Sequence, residues 1–425
     1  MIIYVDKITA RVRYALDIVL NGLIGTDFRL TENKDEFMQS EDAKLSYTDT
    51  PLCNEVFVKR NSNLLFEMNV IQEQNIILNS QNEAFDLFAA AFWCAVRYEE
   101  YLPFDIDEHG RYSSDFSLLF KEGLLQKPVV NLWANELKQR IVSTYPNLPL
   151  RDRKFGFINS IDVDSIFAFR GRKLWISIGG LCRDLLIYRN MEMVRLRIKT
   201  LLRLIPDPFD TFNFITDIAK TCAAKTIFFF LVGERSPYDK NININNKAFK
   251  TIIRKMDSLF SVGIHPSYVS NSKPEVVENE IKKLSNVIDN KPIKACRFHF
   301  VRFRLPESFN VLIKAGITDD YSMGYADKTG FRSGLCTPYP FYDLQQEKQT
   351  NLIIHPFSVM DMTLQTRMSR EKSLEQIKRL IDEVHSVNGE MITLFHNQNL
   401  AEITDWKGWQ ELYKEVIEYA QSKIS

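Results

Sequence analysis

The chain has 425 residues, enough for two or three domains, and its 45% apolar and 25% charged content is typical of a globular protein. Lysine plus arginine and aspartate plus glutamate balance at 54 each, so the overall charge does not indicate nucleic acid as a partner. The six scattered cysteines form no C-x-x-C pair, and the N-terminus carries charges where a signal peptide needs an apolar core. Both features predict a cytoplasmic protein with free thiols.

Residues 1–150 mix short strand and helix patterns, which predict a smaller α+β N-terminal domain. Its clearest element is a helix over 82–102, rich in alanine and aromatic residues. The stretch 105–114 looks like the start of a calcium loop, but Phe116 stands where an EF-hand needs glutamate, so we predict a turn instead. Two prolines in 144–153 indicate a linker between domains.

From residue 151 to residue 425, short β-rich runs alternate with amphipathic helical stretches. Seven strands are predicted, at 154–164, 226–233, 260–268, 295–303, 316–323, 350–359 and 391–398. The best-patterned helices between and after them are at 274–289, 373–387 and 406–420. This alternation predicts a parallel α/β architecture, either a barrel or an open sheet.

Polar residues fall at or near the ends of nearly every predicted strand. They are Asp162, Asp164, His265, Arg297, His299, Arg302, Asp320, His355 and His396. Catalytic groups of a β/α barrel lie at the carboxyl ends of its strands, whereas a doubly wound sheet gathers them at one switch point, usually with a glycine-rich phosphate loop. Neither G-x-G-x-x-G nor a P-loop is present, so we favour a barrel over 151–425.

Two carboxylates interrupt the apolar run INSIDVDSIFAF. Asp162 and Asp164 are two residues apart, so in a strand they face the same way, and an unpaired buried carboxylate is too costly to keep without a cation or a chemical role. Asp164, His265 and His299 could supply the three protein ligands of a catalytic metal site. His299 is two residues from Arg297, which in a strand places both on one face.

The remaining polar groups could act around such a metal. Asp162 could serve as the general base, Arg297 could hold and orient it, and His396 could serve as the acid. A single buried histidine is more often structural than catalytic. Four strand histidines together with a D-x-D pair favour a functional site.

In order and spacing, these motifs resemble those of the polysaccharide deacetylase family (NodB-like, carbohydrate esterase family 4). SIDVD resembles the first motif, with Asp162 as the base and Asp164 as a metal ligand, and GIHPSY resembles the second, with His265 as a ligand. RFHFVR falls where the third motif has an arginine that pairs with the base, here Arg297, and LFHN resembles the last motif, whose histidine is the acid, here His396. The resemblance implies a distorted NodB-like (β/α) barrel.

Further stretches at 207–212, 320–334 and 360–364 resemble a bacterial branch of these deacetylase-like proteins. That branch carries its own N-terminal domain of unknown function, and AFWCAVRYEEYL and HGRYSS resemble parts of it. The resemblance therefore extends over the whole chain.

One motif departs from the family. Its second motif is His-x-x-x-His, but Val269 stands four residues after His265. We assign His299 as the replacement ligand. Ser270 or a second water is the alternative.

The resemblance implies a metal-dependent hydrolase that removes N-acetyl groups from a sugar or polysaccharide, with a divalent metal, Zn²⁺, as cofactor. A membrane contact through the basic segment 170–203, described below, would suit a cytoplasmic enzyme of surface-polysaccharide assembly. Two alternatives stay open. One is a degenerate relative that binds a glycan or a partner without turnover, and the other is a metal-dependent hydrolase of a non-sugar amide.

Five further residues are candidates for binding the substrate: Arg302, Asp320, Tyr325, Arg332 and Tyr268. Arg332 could bind an anionic or carbonyl group, or form a salt bridge within its loop. Asp320 could pair with His396 and set its tautomer, or cap a strand end. Tyr268 and Tyr325 could stack on a sugar, or pack as ordinary aromatic residues.

A basic segment separates the first two predicted strands of the second domain. Residues 170–203 hold nine lysines and arginines against two acidic residues, among many aliphatic side chains, and predict a helical insertion at about 170–205. The insertion could pack on the barrel with its charges solvated. Alternatively, it could contact an anionic membrane or a diphosphate-linked glycan.

Overall fold

A computed structural model describes residues 1–424 of the chain, in which the strands form two separate sheets. The first sheet has the order β2-β1-β3-β4, and its strands are β1 (Ile2–Val5), β2 (Arg29–Thr31), β3 (Lys44–Thr48) and β4 (Val56–Lys59). All three pairings are parallel, so this region is an α/β unit and not the α+β unit predicted. The strands are only three to five residues long, too short for their direction to be read from the sequence.

Five α-helices accompany this sheet: α1 (Ala10–Leu16), α2 (Lys34–Gln39), α3 (Leu87–Val96), α4 (Leu118–Lys121) and α5 (Val129–Thr144). The predicted helix over 82–102 is α3 followed by a 3-10 turn. The Asp86 side chain caps its first turn by accepting from the Ala89 amide, and Arg97 ends it in the left-handed region at φ 56°.

The second sheet has nine strands in the order β10-β11-β9-β8-β7-β6-β5-β13-β12. They are β5 (Gly156–Val163), β6 (Lys225–Phe230), β7 (Ser261–Ile264), β8 (Ala295–Cys296), β9 (Asp319–Asp320), β10 (Tyr339–Asp343), β11 (Lys348–Ile354), β12 (Val359–Met360) and β13 (Glu390–His396). All pairings are parallel except that of β10 with β11.

Helices alternate with these strands, as the sequence pattern predicts. They are α6 (Leu174–Cys182), α7 (Met191–Leu201), α8 (Phe212–Lys220), α9 (Lys247–Leu259), α10 (Pro274–Val287), α11 (Glu307–Lys314), α12 (Asp361–Gln365), α13 (Arg370–Ser386) and α14 (Trp409–Gln421). Within residues 1–424, no helix is long and apolar enough to cross a membrane.

The second sheet agrees with the predicted barrel only in part. Strands β5 to β9 lie side by side in chain order, but within the described chain no ladder joins the two edge strands, β10 and β12, so the sheet is open between them. It is nevertheless strongly curved. Five flat strands from β13 to β8 would span roughly 19 Å, yet the histidines that follow β8 and end β13 both lie within 4 Å of one carboxylate.

The predicted strand at 295–303 differs most from the structure. Only Ala295 and Cys296 pair as β8, and the chain then turns through a 3-10 segment, His299–Val301. Arg297 and His299 therefore do not share a strand face. Phe300 (φ 61°) and Val301 (φ 54°) are both left-handed, a costly conformation for a β-branched residue that is often kept at functional sites.

One continuous apolar core packs both sheets together. A buried ion pair crosses between them, since Arg11 of α1 donates to the Glu347 carboxylate in the β10–β11 turn. A buried charge without a partner would destabilise the fold. The pair therefore favours the packing of the two sheets in which both partners meet.

Candidate metal centre

A cleft of about 1310 Å³ opens at the carboxyl ends of β5, β7, β8 and β13. Its floor carries five polar side chains that the sequence singled out: Asp162, Asp164, His265, His299 and His396. The sheet curvature brings together groups that are far apart in the chain. This is the edge at which parallel strands present catalytic residues.

Both carboxylates of the D-x-D motif reach this cleft. β5 is buried on both faces, and Asp162, near its end, is only 2% exposed. Asp164 follows directly after the strand and is more open to the cleft. Because residues two apart in an extended chain face the same way, both carboxylates point into the same cleft.

Three side chains form a group that could hold a metal ion. One ligand atom each from Asp164, His265 and His299 lies within 4.8 Å of the others. Asp164 Oδ1 is 3.2 Å from His265 Nε2 and 3.6 Å from His299 Nε2. The donor set of two imidazoles and one carboxylate is typical of catalytic zinc sites.

The hydrogen bonds of His265 support a cation here. Its Nδ1 donates to the Arg297 carbonyl oxygen at 2.6 Å, which leaves the Nε2 lone pair pointing at Asp164. Neither His265 Nε2 nor Asp164 Oδ1 has a hydrogen-bond partner within the described residues, although both are buried. Two buried acceptors that face each other fit a positive ion between them.

His299 is oriented in the same way by a carboxylate. Its Nδ1 bonds Asp239 Oδ1 at 2.9 Å, and Asp239 is itself held by the Tyr268 amide and the Ser236 hydroxyl. Burial would lower the pKa of His299, but Asp164 and Asp239 outweigh it and raise the pKa to about 9. Sequence reasoning missed Asp239, which lies in a polar loop after β6.

Asp162 is held by a buried arginine. Arg297 Nη1 donates to Asp162 Oδ1 at 3.0 Å and to the Ser160 hydroxyl at 2.8 Å, and its Nε donates to the Tyr321 carbonyl at 2.9 Å. The guanidinium also packs 4.6 Å over the Phe229 ring. These contacts fix one carboxylate oxygen, so the other, Oδ2, faces the metal group 3.7 Å from His265 Nε2.

His396 ends β13 on the far side of the group. Its Nδ1 bonds Asp361 Oδ1 at 2.7 Å, and its Nε2 lies 3.7 Å from Asp164 Oδ2. Burial would lower the pKa of His396, but Asp361 and Asp164 raise it to about 10. The orienting carboxylate is therefore Asp361, at the start of α12, and not Asp320 as predicted.

Three predicted substrate-binding residues lie outside the cleft. Arg332 is buried in a salt bridge, with its Nη2 2.6 Å from Glu100 Oε2, and the buried Tyr325 hydroxyl accepts from Arg97 at 2.9 Å. Asp320 is fully buried and accepts from the Ser322 amide and hydroxyl. For all three, packing explains the residue without a substrate, which corrects the prediction.

The other two substrate candidates support the rim. Tyr268 stacks at 4.0 Å on Tyr238, and it is Tyr238 that lines the cleft, next to His109 and Phe300. Arg302 donates to the carbonyl oxygens of His109 and Tyr268 and thereby ties the two sides of the rim together. The 105–114 turn of the N-terminal region thus reaches the cleft.

The residue in place of the family's second histidine is remote from the metal group. Val269 is exposed on a 3-10 turn, Tyr268–Asn271, and does not line the cleft, nor does Ser270. His299, which follows β8, could supply the third ligand in its place. His355 lies elsewhere, bonded to Asp319 through Nε2 and to Glu390 through Nδ1.

Among known protein families, one family model is similar to the first part of the chain. Residues 1–146 match the model of DUF7033, a family of unknown function. This is the region that we predict to be a separate domain. A comparison with curated proteins gave no match.

Among solved structures, the chain is similar to an inferred polysaccharide deacetylase from Mycobacterium smegmatis (12% identity, TM-score 0.40, 63% of this chain and 85% of that one). It is also similar to Agd3, a novel carbohydrate deacetylase (11%, 0.36, 69% and 54%), and to the 4-alpha-glucanotransferase from Thermococcus litoralis (14%, 0.36, 64% and 38%). All three TM-scores lie below 0.5, so these similarities alone do not establish a function.

Proposed function

We propose that the protein is a metal-dependent hydrolase that removes N-acetyl groups from a sugar or polysaccharide. The observation that carries the proposal is the pair of buried, unpartnered acceptors, His265 Nε2 and Asp164 Oδ1, which face each other within a three-residue ligand group. The scattered cysteines support a cytoplasmic location, which we include in the proposal.

The metal would be held by Asp164, His265 and His299. We propose Zn²⁺, since two imidazoles and one carboxylate are typical protein ligands of its catalytic sites. When bound, such an ion supplies Lewis acidity, which activates water and polarises a carbonyl group. The Arg297 carbonyl and the Asp239 carboxylate would keep both histidines in the ligating tautomer.

Proton transfers fall to residues on either side. Asp162 Oδ2 accepts the proton of the attacking water as the new C–O bond forms at the acetamido carbon, while Arg297 holds Oδ1. His396 Nε2 donates a proton to the departing nitrogen as the C–N bond breaks, and Asp361 stabilises the charged imidazole until that transfer. The products are acetate and an amine.

The shape of the cleft supports a glycan over a small amide. At about 1310 Å³ it exceeds the usual size of a small-molecule pocket, and Tyr238 and Phe300 offer aromatic surface on its wall. A chain of several sugars would fill this space better than a single small amide would.

Acetate release tests the proposal. Zinc-loaded protein is incubated with N-acetylated oligosaccharides, and wild type should release acetate, whereas Asp162→Asn should bind the metal but release at least about 100-fold less. Products from other amides, with no acetate from any N-acetyl sugar, would favour the non-sugar hydrolase. Bound glycan without any turnover would favour the degenerate relative.

A further inference from the structure

The segment between β5 and β6 has an unusual outer surface. Residues 174–204, here called the exposed segment, consist mainly of α6, a π-helical turn (Arg183–Ile187) and α7. Of the 21 large hydrophobic side chains exposed in residues 1–424, twelve lie here: Leu174, Trp175, Ile178, Leu185, Leu186, Ile187, Tyr188, Met191, Ile198, Leu201, Leu202 and Leu204. Such a concentration marks an interaction surface.

The inner side of the exposed segment is polar. The residues that its helices bury are Ser177, Asp184, Val194, Arg197 and Thr200, of which only one is apolar. Asp184 and Arg197 form a buried salt bridge at 2.7 Å, and Gly180 leaves room for the guanidinium where a Cβ would lie 2.7 Å from it. A surface helix normally buries its apolar face and exposes its polar face to solvent. Here the apolar side chains are exposed and an ion pair is buried.

Positive charge accompanies the apolar surface. Residues 170–203 carry nine basic and two acidic side chains, and one of the two acids, Asp184, is already paired with Arg197. The exposed basic residues are Lys173, Arg183, Arg189, Arg195, Lys199 and Arg203. Apolar and basic side chains exposed together are the chemistry of helices that lie in the interface of an anionic bilayer.

We infer that the exposed segment docks on an anionic membrane surface, with its leucine, isoleucine and tryptophan side chains among the acyl chains and its lysines and arginines at the headgroups. A second copy of the chain is a poorer occupant, because a twofold contact would bring two equally basic patches together. The inference rests on this segment alone and not on the proposed activity.

Docking would place the mouth of the cleft beside the bilayer. Ile176, Gly179, Tyr188 and Met193 of the exposed segment line the same cleft as the metal group. The wall of the cleft is therefore continuous with the docking surface, and the protein would work on material held at the membrane.

Vesicle sedimentation and tryptophan fluorescence test the inference with the full chain. Wild type should sediment with phosphatidylcholine vesicles that contain phosphatidylglycerol, much less with phosphatidylcholine alone, and less at high salt. Trp175 is 69% exposed, so its emission should shift to shorter wavelength on binding, and the shift should disappear in Trp175→Phe.

Matched variants separate the two parts of the surface. Leu186→Glu with Ile187→Glu should abolish sedimentation, whereas Leu259→Glu, at an exposed leucine that ends α9 outside the exposed segment, should leave it unchanged. Lys199→Gln and Arg203→Gln should each weaken binding about fivefold.

Two results would overturn the inference. One is that wild type fails to sediment with the anionic vesicles or shows no spectral shift. The other is a dimer by light scattering that the Leu186→Glu, Ile187→Glu variant dissociates, with no vesicle binding by the wild type, which would assign the exposed segment to self-association.

Discussion

Two groups of buried arginine and carboxylate side chains in this protein differ in one respect. Asp162 lines the cleft and pairs with Arg297, and Glu100 of the N-terminal region lies between Arg97 and Arg332. All five side chains are almost fully buried. Buried charge alone therefore does not distinguish a reactive site from a structural one.

The difference lies in the atoms left without a partner. Both guanidiniums around Glu100 bond through every nitrogen, to Glu99, Glu100, Tyr325 and backbone carbonyls. Around Asp162, the described structure leaves Arg297 Nη2, His265 Nε2 and Asp164 Oδ1 unpartnered. Unsatisfied groups that converge beside a cavity indicate a ligand, while satisfied groups indicate packing.

The largest effect on folding should come from the satisfied group. Glu100→Ala leaves two guanidiniums buried without their shared carboxylate, so it should lower the free energy of unfolding by about 3–5 kcal/mol. Urea denaturation measures this, with Glu122→Ala at an exposed position as the control. If Glu100→Ala were as stable as Glu122→Ala, the charge group around Glu100 would not be a structural one.

The next effect concerns proton transfer in the cleft. Asp361→Asn removes the carboxylate that raises the pKa of His396, so acetate release should fall about 100-fold. A protonated acid is lost as pH rises through its pKa, so lowering that pKa should move the basic limb of the pH–kcat/KM profile to lower pH. Zinc content should stay that of wild type, and an unmoved limb would exclude this role.

The smallest effect should be on the free energy of unfolding of the metal-free protein, when a histidine of the proposed ligand group is replaced. His265→Ala removes one hydrogen bond, from Nδ1 to the Arg297 carbonyl, while Nε2 has no partner to lose, so it should lower the free energy of unfolding by about 1 kcal/mol. His355→Ala removes two bonds to carboxylates and should cost about 1–3 kcal/mol. A larger cost at His265 would make it a structural residue.

Much of the site could be predicted from the sequence because its residues sit at strand ends with clear patterns. Asp162 and Asp164 follow an apolar run, and His265 and His396 each close one, so period and position were enough to place them on one edge. The sequence pattern predicts a strand at His299. The backbone instead leaves the strand there, and the two residues that follow His299 are left-handed, which no local pattern signals.

The misassigned residues depend on contacts across long stretches of chain. Arg332 meets Glu100, 232 residues away, and Asp361 meets His396, 35 residues away, so their partners follow from tertiary packing and not from spacing. The opening in the second sheet could not be predicted for the same reason, because sequence patterns do not specify which strands pair with each other.

Metal content tests the central claim most directly. After dialysis against Zn²⁺ and removal of free ion, wild type should retain about one equivalent, and Asp164→Ala, His265→Ala and His299→Ala should each lose it. His355→Ala, which removes a buried histidine whose two ring nitrogens are both bonded, should retain it. A wild type that holds no zinc, or an equal loss in His355→Ala, would contradict the assignment of this group as a metal centre.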